Sequence, residues 1–308
     1  MPAISKPPRA LPARFRRTRL LIVGCGDVGL RVCRDRCSAR IQVMALTSSP
    51  DRVTQLRARG VLPLVGDLDQ ARSLRRLSGL AHRVLHLAPP AGDVGGDPRT
   101  ARLMRVLAQG VAPRSLVYAS TSGVYGDCGG AWVDETRRLA PQTARAQRRV
   151  AAERLVRHYA RQRYTASILR IPGIYAPDRE GGTPRARLLK GTPVLCTQDD
   201  VYTNHIHADD LARAAWMALW RGRAQRVYNT NDHTQLRMGD YFDAAADLYG
   251  LPRPERISRA QAQAQLPATL MSFMNESRRM DNRRLLQELR ITLHHPTVHE
   301  GLRETGGP

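Results

Sequence analysis

The chain has 308 residues, 42% of them hydrophobic, enough for one large domain or a domain with a smaller appendage. Its 49 Lys and Arg against 27 Asp and Glu give a formal charge of +22, yet the only lysines are Lys6 and Lys190, and the arginines are scattered. Scattered arginine, with only 5% aromatic residues to stack on bases, argues against nucleic acid as the main ligand and favours small anionic ones.

Residues 1–18 are basic and proline-rich, lack the apolar stretch of a secretory signal, and are read as a mobile tail, with a transit peptide as the weaker alternative. "RLLIVG" from Arg19 predicts a buried strand and "DVGLRVCRDRC" a helix. Cys33 and Cys37 lie four apart on that helix, and the five cysteines include no CxxC pair, so reduced thiols and a cytoplasmic location are expected rather than zinc. "IQVMAL" predicts the second strand. The helix of "SPDRVTQLRARG" has Ser49 as its cap, Pro50 in its first turn and Gly60 at its end. "VLPLVGD", "RVLHLAP", "SLVYAS" and "ASILRIPGIY" predict the third to sixth strands, with helices at 100–109 and about 143–162 among the connections. This alternation implies right-handed crossovers and an α/β, parallel, doubly wound sheet. After "QRVYNTND" the texture changes, and "RMGDYFDAAADLYG" and "SRAQAQAQL" are read as helices of a smaller part. No apolar run reaches the roughly 18 residues that span a bilayer, so no membrane partner is expected.

"LLIVGCGDVGLRV" places Gly24, Gly26 and Gly29 in a GxGxxG pattern between the first strand and its helix, the context in which that pattern binds a dinucleotide. Gly24 permits the tight turn, Gly26 lets backbone approach a pyrophosphate beside Val28 at the helix start, and Gly29 lets helix pack on strand. Asp27 would repel the pyrophosphate, so its carboxylate is expected to face solvent. The second strand ends in Thr47, Ser48 and Ser49, with Arg52 following. Hydroxyls and a guanidinium, where an acidic residue would hold a ribose 2′-OH, favour NADP over NAD. Asp67 and Leu68 are placed around the adenine, and Leu87, Ala88 and Pro89 at the carboxyl edge of the fourth strand. The expected division is a tail over 1–18, a Rossmann NAD(P)-binding domain over 19–226 and a smaller, partly helical substrate-binding part over 227–308.

"LVYASTSGVYGD", "LRIPGIYAPDR" and "NHIHADDLARA" together resemble the extended short-chain dehydrogenases/reductases, the NAD-dependent epimerase/dehydratase family, over about residues 19–302. The resemblance implies a Rossmann fold, an NAD(P) cofactor and a small-molecule substrate, with Ala119 and Ser120 and then Pro172, Gly173 and Ile174 beside the nicotinamide. It also implies a hydroxyl on the reacting oxygen, here Thr121, and a Tyr-x-x-x-Lys pair on the helix at 143–162. Aligning "RVAAERL" on the family's lysine segment puts Arg149 at the lysine and Arg145 at the tyrosine. Arg149 can orient a ribose, but a guanidinium with a pKa above about 12 is no proton donor or base. Tyr125 and Tyr175 are the other candidate catalytic groups, and the chain is an atypical relative. It is read either as an oxidoreductase or epimerase/dehydratase-type enzyme on a small carbonyl, hydroxyl or sugar-like substrate, or as a non-catalytic NADP(H)-binding redox sensor. His205, His207, Asp209 and Asp210 of "NHIHADD" are read as the start of a helix rather than a metal site. Arg179, Arg185 and Arg187 are placed to meet a diphosphate. Arginines along the helix at 143–162 oppose self-association there, so a monomer or a homodimer is expected.

Overall fold

The computed structural model describes residues 17–34, 40–92, 95–161 and 163–303. All but two residues of the expected tail lie outside this set, and Thr18 already opens the first strand. In chain order the elements are β1 (Thr18–Val23), α1 (Asp27–Cys33), β2 (Ile41–Thr47), α2 (Arg52–Ala58), β3 (Leu62–Val65), β4 (Arg83–His86), α3 (Pro98–Leu107), β5 (Ser115–Thr121) and β6 (Trp132–Val133). There follow α4 (Ala144–Ala160), β7 (Thr165–Ile171), β8 (Gly173–Tyr175), α5 (Arg185–Leu189), β9 (Val194–Leu195), β10 (His205–His207), α6 (Ala208–Arg221), β11 (Arg226–Asn229) and α7 (Met238–Tyr249). The chain closes with β12 (Arg256–Ile257), α8 (Arg259–Gln265), α9 (Ala268–Met274), β13 (Arg279–Met280), α10 (Arg283–Leu289) and α11 (Val298–Gly301).

Seven strands form one sheet in the order β11-β7-β5-β4-β1-β2-β3, every neighbouring pair parallel. The chain order reverses between β1 and β4, and the carboxyl ends of those strands open the crevice in which doubly wound folds bind ligands. The sixth expected strand is two. Pro172 has no N–H to continue the ladder, and β8 leaves the sheet to pair with β10. The seventh strand, β11, straddles the expected boundary at 226/227.

β1 is apolar and buried from Leu20 to Val23 because both faces of the sheet are covered there. Leu20 and Ile22 enter a core with Val32, Leu211 and Ala215, while Leu21 and Val23 enter another with Leu103, Met104 and Val156. A third core gathers Tyr175, Leu195, Met238, Phe242, Ile257 and Met274, so the smaller part is built from two separated stretches of chain. Helix starts follow local chemistry. Thr143 caps α4 by accepting from the Ala146 N–H at 3.2 Å, and Asp97 caps α3 through the Thr100 N–H. Ser49 does not cap α2 as expected. Its N–H is taken by Thr47 Oγ1 at 3.2 Å, and the helix begins at Arg52 with Asp51 in the cap position.

Candidate functional site

The glycine loop follows β1. Gly24 has φ +84°, and a Cβ there would stand 2.5 Å from the Ala88 backbone nitrogen. The close approach of the β1 and β4 ends therefore requires this glycine. Gly26, at the N-terminus of α1, is different: a Cβ there meets nothing within 4 Å. The protein's own packing does not demand a glycine there, and the space beside it is open. Gly29 packs on Cys25 and Ile22 of the strand side, and Val28 is half-buried.

Asp27 is exposed, as expected, but its charge is not left to solvent. It accepts from Arg31 Nε at 3.1 Å and from Arg179 at 2.9 Å. Arg31 is buried and also donates to Asp178 at 2.5 Å and Asp209 at 2.7 Å, tying α1 to the loop after β8 and to the start of α6. The carboxylate at the glycine loop is thus neutralised by two guanidinium groups.

The other expected dinucleotide contacts lie at the carboxyl ends of β2, β3 and β4. Thr47 is buried and occupied with Ser49, while Ser48 is exposed and Arg52 half-buried. Asp67 accepts the Asp69 N–H at 2.9 Å, and Leu68 is buried beside it. Leu87 is half-buried, Ala88 buried and Pro89 exposed.

A cavity of about 550 Å³ opens past the end of β5. Thr121, Arg149, Pro172, Gly173 and Ile174 meet on its wall, with Arg145 one turn before Arg149. The Thr121 hydroxyl accepts from the Gly123 N–H at 3.3 Å. Arg149 donates to the Ala119 carbonyl at 2.6 Å and to the Tyr118 hydroxyl at 3.1 Å, so the end of β5 fixes its guanidinium. Ser120 is buried and its hydroxyl proton is donated to Glu153.

Two tyrosines need correction as catalytic candidates. Tyr125 is 1% exposed. Its hydroxyl donates to Asn229 at 2.6 Å and accepts from Arg170 at 3.0 Å, and burial pushes its pKa up to about 12. It is a core residue outside the cavity. Tyr175 borders the cavity, but its hydroxyl donates to the Thr297 carbonyl at 3.2 Å and burial raises its pKa. His205, on the cavity wall, has its pKa pushed down to about 4 by burial and is a neutral imidazole at neutral pH. The C-terminal part supplies residues the sequence reading missed: Met238, Tyr241, Phe242, Phe273, Glu276 and Arg278. They carry no motif and reach the site only through folding.

His207, Asp209 and His295 bring their possible ligand atoms within 4.8 Å of one another. The chemistry does not suit a metal. His207 Nδ1 accepts the Asp209 N–H at 3.2 Å as the cap of α6, which leaves the neutral ring's proton on Nε2 and no free lone pair. Asp209 is committed to Arg31.

The parallel sheet with its switch-point crevice and glycine loop defines a Rossmann-type α/β protein. Residues 20–230 match the NAD dependent epimerase/dehydratase family, and the chain belongs to it. No curated protein matches the sequence. A functionally unknown conserved protein from Silicibacter pomeroyi is 30% identical, with a TM-score of 0.78 over 92% of this chain and 96% of that one. UDP-glucose 4-epimerase from Thermotoga maritima, solved with UDP-glucose, is 17% identical, with a TM-score of 0.74 over 93% and 96% of the two chains. UDP-glucuronic acid 4-epimerase from Bacillus cereus, in complex with NAD, is 18% identical, with a TM-score of 0.73 over 93% and 96%. These last two share the fold. No described helix is long and apolar enough to cross a membrane.

Proposed function

We propose that the protein is an NAD(P)-dependent enzyme that acts on a small carbonyl, hydroxyl or sugar-like substrate in the cavity beside β5. The observation that carries this reading is the meeting of Thr121 and Arg149 with Pro172, Gly173 and Ile174 on one cavity wall, at the carboxyl edge of the glycine-loop sheet. Gly24, Gly26 and Gly29 would hold the pyrophosphate, Thr47, Ser48 and Arg52 the adenosine ribose, and Asp67 and Leu68 the adenine. The bound dinucleotide supplies hydride transfer. Thr121 donates a hydrogen bond to the reacting oxygen, and Arg149 keeps a fixed positive charge beside the ribose. Aligned on the family, Arg145 stands where the usual proton donor would be. Glu276 is the one carboxylate among the described residues lining the cavity and, with the neutral His205, is left to exchange the proton. The neutral end of β2 supports NADP(H).

Calorimetric titration with NADPH, NADP, NADH and NAD comes first, followed by a carbonyl and alcohol screen with the pair that binds. Thr121→Ala should lower turnover by about 10²-fold while leaving cofactor affinity intact. If no dinucleotide binds at millimolar concentration, the proposal is wrong. A second reading, a redox-sensing protein without turnover, is favoured by guanidinium groups at both positions of the helix pair. It predicts unequal affinity for NADPH and NADP and an inert screen.

A further inference from the structure

We infer that the cavity binds one compact anionic group of its ligand, a carboxylate or a phosphate monoester, on the guanidinium of Arg187. This rests on the reading of the cavity as the substrate site. Arg187 lies on α5 and lines the cavity, with its guanidinium 4.3 Å from the centre of the Phe242 ring. Its Nε and Nη2 are buried and have no hydrogen-bond partner. Burial lowers its basicity. The other arginines drawn deep into the protein are treated differently: Arg31 is held by Asp27, Asp178 and Asp209, and Arg170 by Glu153. A cation removed from water without a counter-charge is unfavourable, and such a group persists where a ligand completes it. Nε and Nη2 together form the edge of a guanidinium that takes two oxygens of one planar anion in parallel.

The other arginines near the cavity are bonded to protein groups or turned outward. Arg278 is held by Glu276 at 2.8 Å and by the Gly126 carbonyl. Arg149 is spent on the end of β5, and Arg145 is exposed with its guanidinium over the Phe273 ring. Of the two arginines grouped with Arg187 in the sequence, Arg179 is paired with Asp27 and Arg185 is exposed near the Tyr249 ring. Arg187 is the lining arginine with two buried, unpartnered nitrogens, and that fork suits one planar anionic group. A nucleoside diphosphate carries a second charged phosphate, for which Arg187 offers no second fork. Met238, Tyr241 and Phe242 on the same wall call for an apolar or aromatic body next to the anion.

The test uses the full chain, with and without saturating NADPH, titrated calorimetrically with benzoate, phenyl phosphate and UDP-glucose. Benzoate or phenyl phosphate should bind more tightly than UDP-glucose, and the preferred one identifies the anion. Arg187→Met should weaken that binding by at least about ten-fold and raise the ligand-free Tm, since it removes an unpaired buried charge. Arg187→Lys, which keeps the charge but not the fork, should fall between. The inference is overturned if neither single-anion probe binds, if UDP-glucose binds most tightly, or if Arg187→Met and Arg187→Lys bind as the parent does. Loss of NADPH binding alone would instead sink the proposed function and leave the anion site standing.

Discussion

The sheet half and the cavity half of this protein treat buried polar atoms differently. Up to the end of β7, the only described buried side-chain nitrogens or oxygens without a hydrogen-bond partner are Arg19 Nε and His86 Nδ1. Between residues 187 and 278 such atoms recur on Arg187, His205, His207, Asn231, Asp232, Asp243 and Arg278, and three of these residues line the cavity. Folded chains rarely leave buried polar atoms unpaired without water or a ligand to complete them. Arg187, His205 and Arg278 carry theirs on the cavity wall, where a ligand would meet them.

The largest expected effect tests the sheet half. Arg170 on β7 donates to Glu153 at 2.9 Å and 3.2 Å and to the Tyr125 hydroxyl, and both partners of the ion pair are buried. Arg170→Met leaves the Glu153 carboxylate uncompensated and should cost about 3–5 kcal/mol in urea denaturation. Arg170→Met combined with Glu153→Leu should recover much of that loss. A single-variant cost under about 1 kcal/mol would erase the contrast between the halves.

In the other half the next effect depends on pH. Asp232 is buried with its Oδ2 unpartnered, and burial holds its pKa up at about 7. The folded state therefore keeps its proton more tightly than the unfolded chain. The stabilisation is fully present below the ordinary carboxylate pKa of about 3.9 and is lost as pH rises through about 7. Asp232→Asn should remove this slope, gaining up to roughly 4 kcal/mol over the parent at pH 9 and little at pH 4. Parallel Tm-against-pH curves for the two proteins would show that the carboxylate is already ionised in the fold.

What could be read from the sequence divides along the same line. β1 to β5, their helices and the glycine loop repeat a local pattern, a buried strand followed by an amphipathic helix, so periodicity and caps reveal them. Thr121 and Arg149 could be proposed from the sequence because a motif fixes their spacing, and both line the cavity. β11 was not anticipated as a strand: "RVYN" is four residues long, and its pairing with β7 brings together chain about sixty residues apart. Glu276, Arg278, Tyr241 and Phe242 reach the cavity from loops and from α7, where nothing in the local sequence marks them. Tyr125 was misjudged for a related reason. Its turn is recognisable, but its burial is decided by Asn229 and Arg170, both distant in sequence.

The smallest effect on stability is expected at Gly26, and it is the one that tests the glycine loop as a binding site. Gly24 and Gly26 are two residues apart in one loop, and a side chain should fail at each for a different reason. At Gly24 the positive φ and the 2.5 Å approach of a Cβ to Ala88 make any substitution strained, so Gly24→Ala should cost about 2–3 kcal/mol whether or not a dinucleotide is present. At Gly26 the backbone φ of −78° suits any residue and the space is open, so Gly26→Val should leave the ligand-free Tm within about 1 °C of the parent. The same side chain would fill the pyrophosphate's place and should weaken dinucleotide binding at least about 100-fold by calorimetry. If Gly26→Val binds NADPH and NADH as the parent does, the open space is an ordinary surface and the crevice at the β1–β4 switch point does not hold the pyrophosphate. If it destabilises the ligand-free protein as much as Gly24→Ala, the loop is a structural turn at both positions.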